Sequence, residues 1–98
     1  MESVGNRIAE AIRSVPRGSV ASYGAIAAAA GLTNGARTVA RVLHSSSTSR
    51  DLPWWRIVRA DGSIALPRGG GYEEQAALLV AEGLFIGPDG RVHPEQAS

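Results

Sequence analysis

Val4, Ile8, Ala11, Ile12 and Val15 recur at steps of three and four, which lays them along one side of a helix. Arg7, Glu10 and Arg13 fall elsewhere on the same wheel. The pattern predicts a first helix over residues 3–15, with Ser3 as its N-cap. Pro16-Arg17-Gly18 stops it. A second, short helix is capped by Ser22 and ends at Gly31. Its body, Tyr23 to Ala30, is rich in alanine, which favours helix and lets a neighbouring helix come close. Leu32-Thr33-Asn34 is a break. A third helix is predicted from Gly35 to His44, with Asn34 as N-cap and Val39, Val42 and Leu43 as its apolar face. Arg37 and Arg41 share one side of it. A short helix, a tight turn and a helix with basic residues near its start form the outline of a helix-turn-helix.

The pattern then changes. Ser45-Ser46-Ser47-Thr48-Ser49-Arg50-Asp51 has little to bury and reads as a polar loop. Leu52-Pro53-Trp54-Trp55-Arg56-Ile57-Val58 holds both tryptophans of the chain. Proline fixes its own φ and biases the preceding residue toward extended backbone, so the segment reads as a stiff, extended turn rather than helix. Adjacent side chains in such a segment point to opposite faces. One Trp then fills the core while the other lines a pocket; the alternative is that both are core residues. Ile57-Val58-Arg59, Asp61-Gly62 and Ile64-Ala65-Leu66 read as a small hairpin. Pro67-Arg68-Gly69-Gly70-Gly71 is a flexible loop that exposes backbone. Residues 72–82 form the last helix, with Ala76, Leu79 and Val80 on its buried side and Gly83 as its stop. Pro88-Asp89-Gly90 is a turn, followed by a frayed end.

Ninety-eight residues at 44% hydrophobic make one domain, residues 1–98, with a modest core. No long apolar run exists to span a membrane, and no partner membrane is expected. Met1-Glu2-Ser3-Val4-Gly5-Asn6 carries no signal pattern, so the chain reads as cytoplasmic and monomeric. The absence of cysteine removes disulfides, thiolate metal sites and a thiol nucleophile. His44 and His93 lie far apart without a carboxylate at ligand spacing, so neither a metal nor any other cofactor is expected. The glycine triplet lacks the strand–GxxxxGK[ST]–helix context of a phosphate loop.

Charge is uneven. Residues 1–68 carry nine Arg against four acids, whereas residues 69–98 carry one Arg against five. There is no Lys. Arginine's planar fork suits phosphate and base contacts, although biased codon usage would equally produce a lysine-free chain. The asymmetry points to an anionic partner on the first two-thirds of the chain.

Val15-Pro16-Arg17-Gly18-Ser19-Val20 precedes Tyr23-Gly24, then Ala36-Arg37-Thr38-Val39, then Pro53-Trp54-Trp55-Arg56-Ile57. Asp61-Gly62, the glycine loop and Leu78-Leu79-Val80-Ala81-Glu82-Gly83 follow. In this order and spacing the segments resemble the O6-alkylguanine-DNA alkyltransferases, over nearly the whole chain. The active-site segment of that family reads Pro-Cys-His-Arg-Val. Trp54 stands at its reactive cysteine and Trp55 at its histidine. Replacement of the cysteine, often by Trp, marks the alkyltransferase-like proteins; many of them keep the histidine that this chain lacks.

The resemblance implies a mainly α fold with a small β-hairpin, the winged-helix-like, helix-turn-helix DNA-binding domain of the alkyltransferases. It implies a non-enzymatic sensor that flips O6-alkylguanine out of duplex DNA through the minor groove and flags it for nucleotide excision repair proteins. Tyr23 would help rotate the nucleotide, and Arg37 would fill the gap it leaves. Thr33, Thr38 and Arg41 join them as DNA-contacting residues. Tyr23, Leu43, Trp54, Ile57, Arg68 and Gly69 would line the lesion pocket, with Trp54 as a flat wall and Arg68 approaching the alkylated base. Pro53, Trp55, Arg56 and Glu82 would be structural, with Trp55 packed inward and Glu82 capping or pairing locally. Ser46 replaces the family's hinge Asn.

Two other functions compete. A helix-turn-helix protein without lesion preference would have little use for the Trp pair. A cysteine-independent repair enzyme, such as a glycosylase, would need a free acid in the pocket, for which Glu82 is the candidate.

Overall fold

The computed structural model describes residues 3–94, and of residues 45–50 and 94 the backbone alone. Helix α1 spans Val4–Arg13, and the Ser3 side chain accepts from the Asn6 N–H at 3.1 Å as its cap. A two-residue strand β1 (Ala21–Ser22) leads into α2 (Tyr23–Ala29), capped by the Ser22 hydroxyl on the Ala25 N–H at 3.0 Å. Gly31 closes α2 in the left-handed region at φ 81°. The Leu32 N–H reaches the Ala27 carbonyl at 2.9 Å and the Gly31 N–H reaches Ala28 at 3.0 Å, which satisfies two terminal carbonyls.

Helix α3 runs Ala36–Arg50. The polar stretch expected as a loop therefore continues the helix by a turn and a half. Serine and threonine are weak but competent helix formers once nucleation has been achieved upstream. The N-cap also moves by one residue. Asn34 takes φ 54° in the tight turn, so the position ahead of Ala36 falls to Gly35. A Cβ at Gly35 would meet the Cβ of Leu32 at 2.7 Å and that of Ala27 at 3.1 Å. The turn between the two helices closes this tightly because no side chain stands there.

The Trp pair forms a single 3-10 turn, Trp54–Arg56, rather than extended chain. The Trp54 N–H bonds to the Leu52 carbonyl and the Arg56 N–H to that of Pro53, so the kink at Pro53 tightens instead of straightening. Strand β2 (Ile57–Val58) follows and pairs in parallel with β1, Ala21 opposite Ile57 and Ser22 opposite Val58. The expected hairpin over 57–66 reduces to a turn, Arg59 N–H to Ser63 carbonyl at 2.9 Å. Its second limb bonds instead to the C-terminal segment, Ile64 to Gly90 and Val92 to Gly62. Helix α4 (Tyr72–Ala81) is followed by the true hairpin, β3 (Leu84–Ile86) against β4 (Val92–Pro94) around the turn at Pro88-Asp89-Gly90. Val80, expected inside, is 56% exposed, and Gln75 takes the buried position on α4.

Two apolar clusters result. The first gathers Ile8, Ile12, Ile26, Val39, Leu43, Leu52 and Ile57 among the first three helices. The second joins Val58, Ile64, Leu79, Leu84 and Val92. The motif segment runs between them: Trp54 and Ile57 pack on the first, Trp55 and Val58 on the second. Among the described residues no helix is long and apolar enough to cross a membrane.

The turn at Gly35 gives a direct test. Gly35→Ala pushes a Cβ into Leu32 and should cost about 1–3 kcal/mol of stability, the usual price of overpacking. Urea denaturation of the two proteins measures it; equal midpoints would show that the turn has room to give.

Candidate nucleic-acid interface

Arg37 and Arg41 are exposed on α3, and Thr33 is exposed in the turn before it; Thr38 is half-buried. These four and Tyr23, the first residue of α2, lie on the helix-turn-helix. The β1–β2 pairing fixes Tyr23 one residue beyond the strand that holds the motif in register. Its ring is half-buried against the first cluster. Burial pushes the Tyr23 hydroxyl up, opposed by the Arg59 charge, so the group remains a neutral donor at physiological pH.

A cavity of about 420 Å³ is lined by Tyr23, Ala40, Leu43, His44 and Leu66. Of the expected lesion-pocket residues, Tyr23 and Leu43 are in its wall. Ile57 is not: it is 1% exposed, packed in the first cluster among residues of the first three helices. Trp54 is half-buried beside Tyr23 and Leu43 on that cluster, and its ring meets Trp55 edge-on at 6.1 Å. It does not line this cavity. Arg68 and Gly69 stand apart as well. The Arg68 guanidinium lies 4.9 Å over the Tyr72 ring, and the Gly69 N–H donates to Glu73 at 2.9 Å. Arg68 belongs to a second, polar cavity of about 630 Å³, whose wall includes Arg59, Asp61, Tyr72 and Arg91. Leu66 lines both cavities, so they adjoin. Ala40, His44 and Leu66 were missed from the sequence. Ala40 and His44 flank the apolar stripe of α3 one turn apart, a weak signal; Leu66 carried none.

Behind the cavity the motif is clamped. Arg56 donates to the Glu82 carboxylate from Nε and Nη2 at 2.8–3.1 Å, and from Nη1 to the Val15 carbonyl at 3.0 Å. The Trp55 indole N–H donates to Glu82 Oε2 at 2.8 Å, and the Gly18 N–H to Oε1 at 2.9 Å. The Glu82 side chain is 3% exposed. Glu82 thus pairs across the chain rather than locally. Gln75, 2% exposed, completes the support by donating to the carbonyls of Trp55 and Ile57 at 3.0 and 3.1 Å. Its place was not legible from the sequence, since a lone Gln among Glu and Ala reads as helix surface. Pro53 initiates the turn. Of Ser46 the side chain lies outside the described residues. Among the described residues no group of three His, Cys, Asp or Glu is placed to hold a metal ion.

The fold and motif together define the DNA-binding domain of an alkyltransferase. A family model described as the 6-O-methylguanine DNA methyltransferase DNA-binding domain matches residues 3–84, and the chain belongs to that family. With Trp54 in the place of its cysteine, it is an alkyltransferase-like protein. It is 35% identical over 81 residues to the DNA base-flipping protein of Vibrio parahaemolyticus, covering 83% of this chain and 80% of that one. The DNA base-flipping protein of Escherichia coli K12 is 33% identical over 91 residues, 93% of this chain and 70% of the relative. Schizosaccharomyces pombe Atl1, solved in complex with damaged DNA containing O6-carboxymethylguanine, shares the fold with a TM-score of 0.78 at 24% identity. That match covers 97% of this chain and 93% of the other.

The clamp predicts acid sensitivity. Hydrogen bonds from Arg56 hold the Glu82 carboxyl at about 2, against 4.5 ordinarily; burial opposes this, and the Gly18 and Trp55 N–H groups add to it. A depressed folded-state value stabilises above the unfolded one, so the contribution is whole above about pH 4.5 and lost as pH falls toward 2. Glu82→Gln should cost about 3 kcal/mol at pH 7 and flatten the stability profile over that window. Denaturation between pH 2 and 7 checks both; an unchanged profile would remove the clamp from the stability of the fold.

A second prediction concerns chemistry. Trp54→Cys alone restores no alkyl transfer. Trp55 fills the position between that residue and Glu82 with an indole, which donates a proton but has no lone pair to accept one. Incubation with duplex carrying a labelled O6-methyl group should leave the label on the DNA, and label on the protein would refute the reasoning.

Proposed function

We propose that this chain recognises O6-alkylguanine in duplex DNA without repairing it. It docks through α2 and α3 from the minor-groove side, turns the lesion out of the stack into the cavity between Tyr23, Leu43 and Leu66, and leaves it chemically unchanged. The lesion so marked is passed to nucleotide excision repair, and the protein acts as a cytoplasmic monomer. The observation that carries this reading is the intact clamp behind a substituted nucleophile. Arg56, Glu82 and Gln75 hold the motif turn, while Trp54 and Trp55 provide neither a nucleophile nor a base. The scaffold for positioning a flipped base is kept and the means of reacting with it are not. The names of the Vibrio and Escherichia relatives, and the damaged DNA bound by Atl1, support the same reading.

Enzymatic hydrolysis is disfavoured on the same geometry. Glu82 is fully engaged as an acceptor and lines neither cavity, so it is no acid or base for activating water. The two carboxylates in the polar cavity, Asp61 and Asp89, lie against Arg91 on the open surface.

Unstacking a base costs a few kcal/mol, and a side chain occupying the vacated place recovers part of that. Arg37, exposed in the first turn of α3, is the residue for this role. Titration of a duplex carrying one O6-methylguanine against the unmodified duplex, at several salt concentrations, tests the function. The lesion duplex should bind more tightly throughout, and Arg37→Ala should weaken its binding by roughly 1–3 kcal/mol. Equal affinity for the two duplexes would leave an ordinary helix-turn-helix protein, and an unaltered constant for the variant would remove Arg37 from the mechanism.

A further inference from the structure

The wall of the first cavity is apolar except for two groups, the Tyr23 hydroxyl and the His44 imidazole. Ala40, Leu43 and Leu66 supply the remainder. His44 lines the cavity and is exposed to solvent. Along α3 it lies three residues after Arg41 and seven after Arg37, so all three follow one side of the helix, and all three are exposed. A line of exposed basic side chains thus runs from the head of the helix to the wall of the cavity.

We propose that His44, as the imidazolium, binds the backbone phosphate beside the flipped nucleotide and so couples lesion binding to pH. The inference rests on the cavity being the lesion pocket. A flipped purine presents its faces to apolar walls, while its sugar and phosphate remain at the opening. The group at that opening must satisfy an anion, and a protonated imidazole does so with a charge-assisted hydrogen bond. The titratable and charged groups around it are Tyr23 from α2, Arg41 from the preceding turn of α3, and Arg59 beyond β2, close enough to act on the Tyr23 hydroxyl. Among the described residues no carboxylate lines the cavity, which fits an anion brought by the nucleic acid. A phosphate that stabilises the imidazolium makes binding take up a proton, and affinity then rises as pH falls.

Dissociation constants for the O6-methylguanine duplex and the plain duplex, at pH 6 and pH 8 and fixed salt, test this with His44→Gln, His44→Arg and His93→Gln. The wild-type protein should hold the lesion duplex roughly three- to fivefold more tightly at pH 6, the size of an exposed ion pair. His44→Gln should bind at both pH values as the wild type does at pH 8, with a salt slope shallower by about 1 at pH 6. His44→Arg should bind tightly at both, and His93→Gln, altered on the distant hairpin, should behave as the wild type. A pH gain that survives in His44→Gln overturns the proposal. An equal His44-dependent gain on plain duplex also overturns it, because the contact would then be to ordinary backbone. Lesion preference of the wild type at pH 8 tests the lesion reading by itself; without that preference both readings fall.

Discussion

The carboxylate of Glu82 is the point on which the site depends. It receives hydrogen bonds from Arg56, Trp55 and Gly18, residues from the motif turn and from the loop after α1, while the backbone N–H of Glu82 donates to the Leu79 carbonyl at the end of α4. Removing it would leave the Arg56 guanidinium, 14% exposed, as a buried charge without its counter-ion. The three segments it joins are also tied by the Gln75 bonds to the motif carbonyls and by the Arg56 bond to Val15, and among the described residues the carboxylate is the one acceptor that reaches donors from both the motif turn and the loop after α1. Trp55 shows what such an acceptor tolerates. Any donor of suitable reach satisfies Oε2, whether imidazole or indole, so the fold survives the exchange. A base needs a lone pair, which the indole lacks. One substitution therefore keeps the architecture and removes the chemistry.

The motif turn also divides the interior. Trp54 and Ile57 face one cluster, Trp55 and Val58 the other. The two Gln75 bonds hold the carbonyls of Trp55 and Ile57 from behind, so neither side chain can rotate toward the wrong cluster without stranding a buried amide. Pairing of β2 with β1 then sets Tyr23 one residue beyond the Ser22–Val58 pair. The motif segment and the aromatic at the head of α2 are thereby placed relative to each other by backbone pairing.

Helices α1, α2 and α4 were legible because their signals are local: a Ser cap, a three-four repeat, a closing glycine. The second half of α3 was not, because serine and threonine carry no apolar period and read as loop. The hairpin was misplaced for a different reason. Ile64 to Leu66 has the composition of a strand, but its partner is the segment near Gly90, and local pattern does not reveal which distant edge a short strand will meet. At the site, Tyr23 and Leu43 were found in the cavity wall and Ile57 was not. A β-branched residue after a turn suits wall or core equally, and only the packing of the first three helices around it decides. Arg68 was expected at the base; the ring of Tyr72, four residues on, holds it in the adjoining cavity. Cation–π contacts of this kind depend on a loop's path, which three glycines leave unspecified.

Charge bears on how the proposed separation of damaged from ordinary duplex would work. Helices α2 and α3 contain no carboxylate, and Arg37 and Arg41 stand exposed on α3, so the helix-turn-helix carries a positive field. That field is nonetheless modest, for a handful of phosphate contacts gives weak, salt-sensitive binding to any sequence. Phosphate contacts position a protein but do not discriminate. On the proposed function, selectivity must come from the step after docking, when a base leaves the stack and enters the cavity. Keeping the electrostatic share small serves that step. A more basic surface would hold undamaged duplex so tightly that the gain from one captured base would be hidden beneath it.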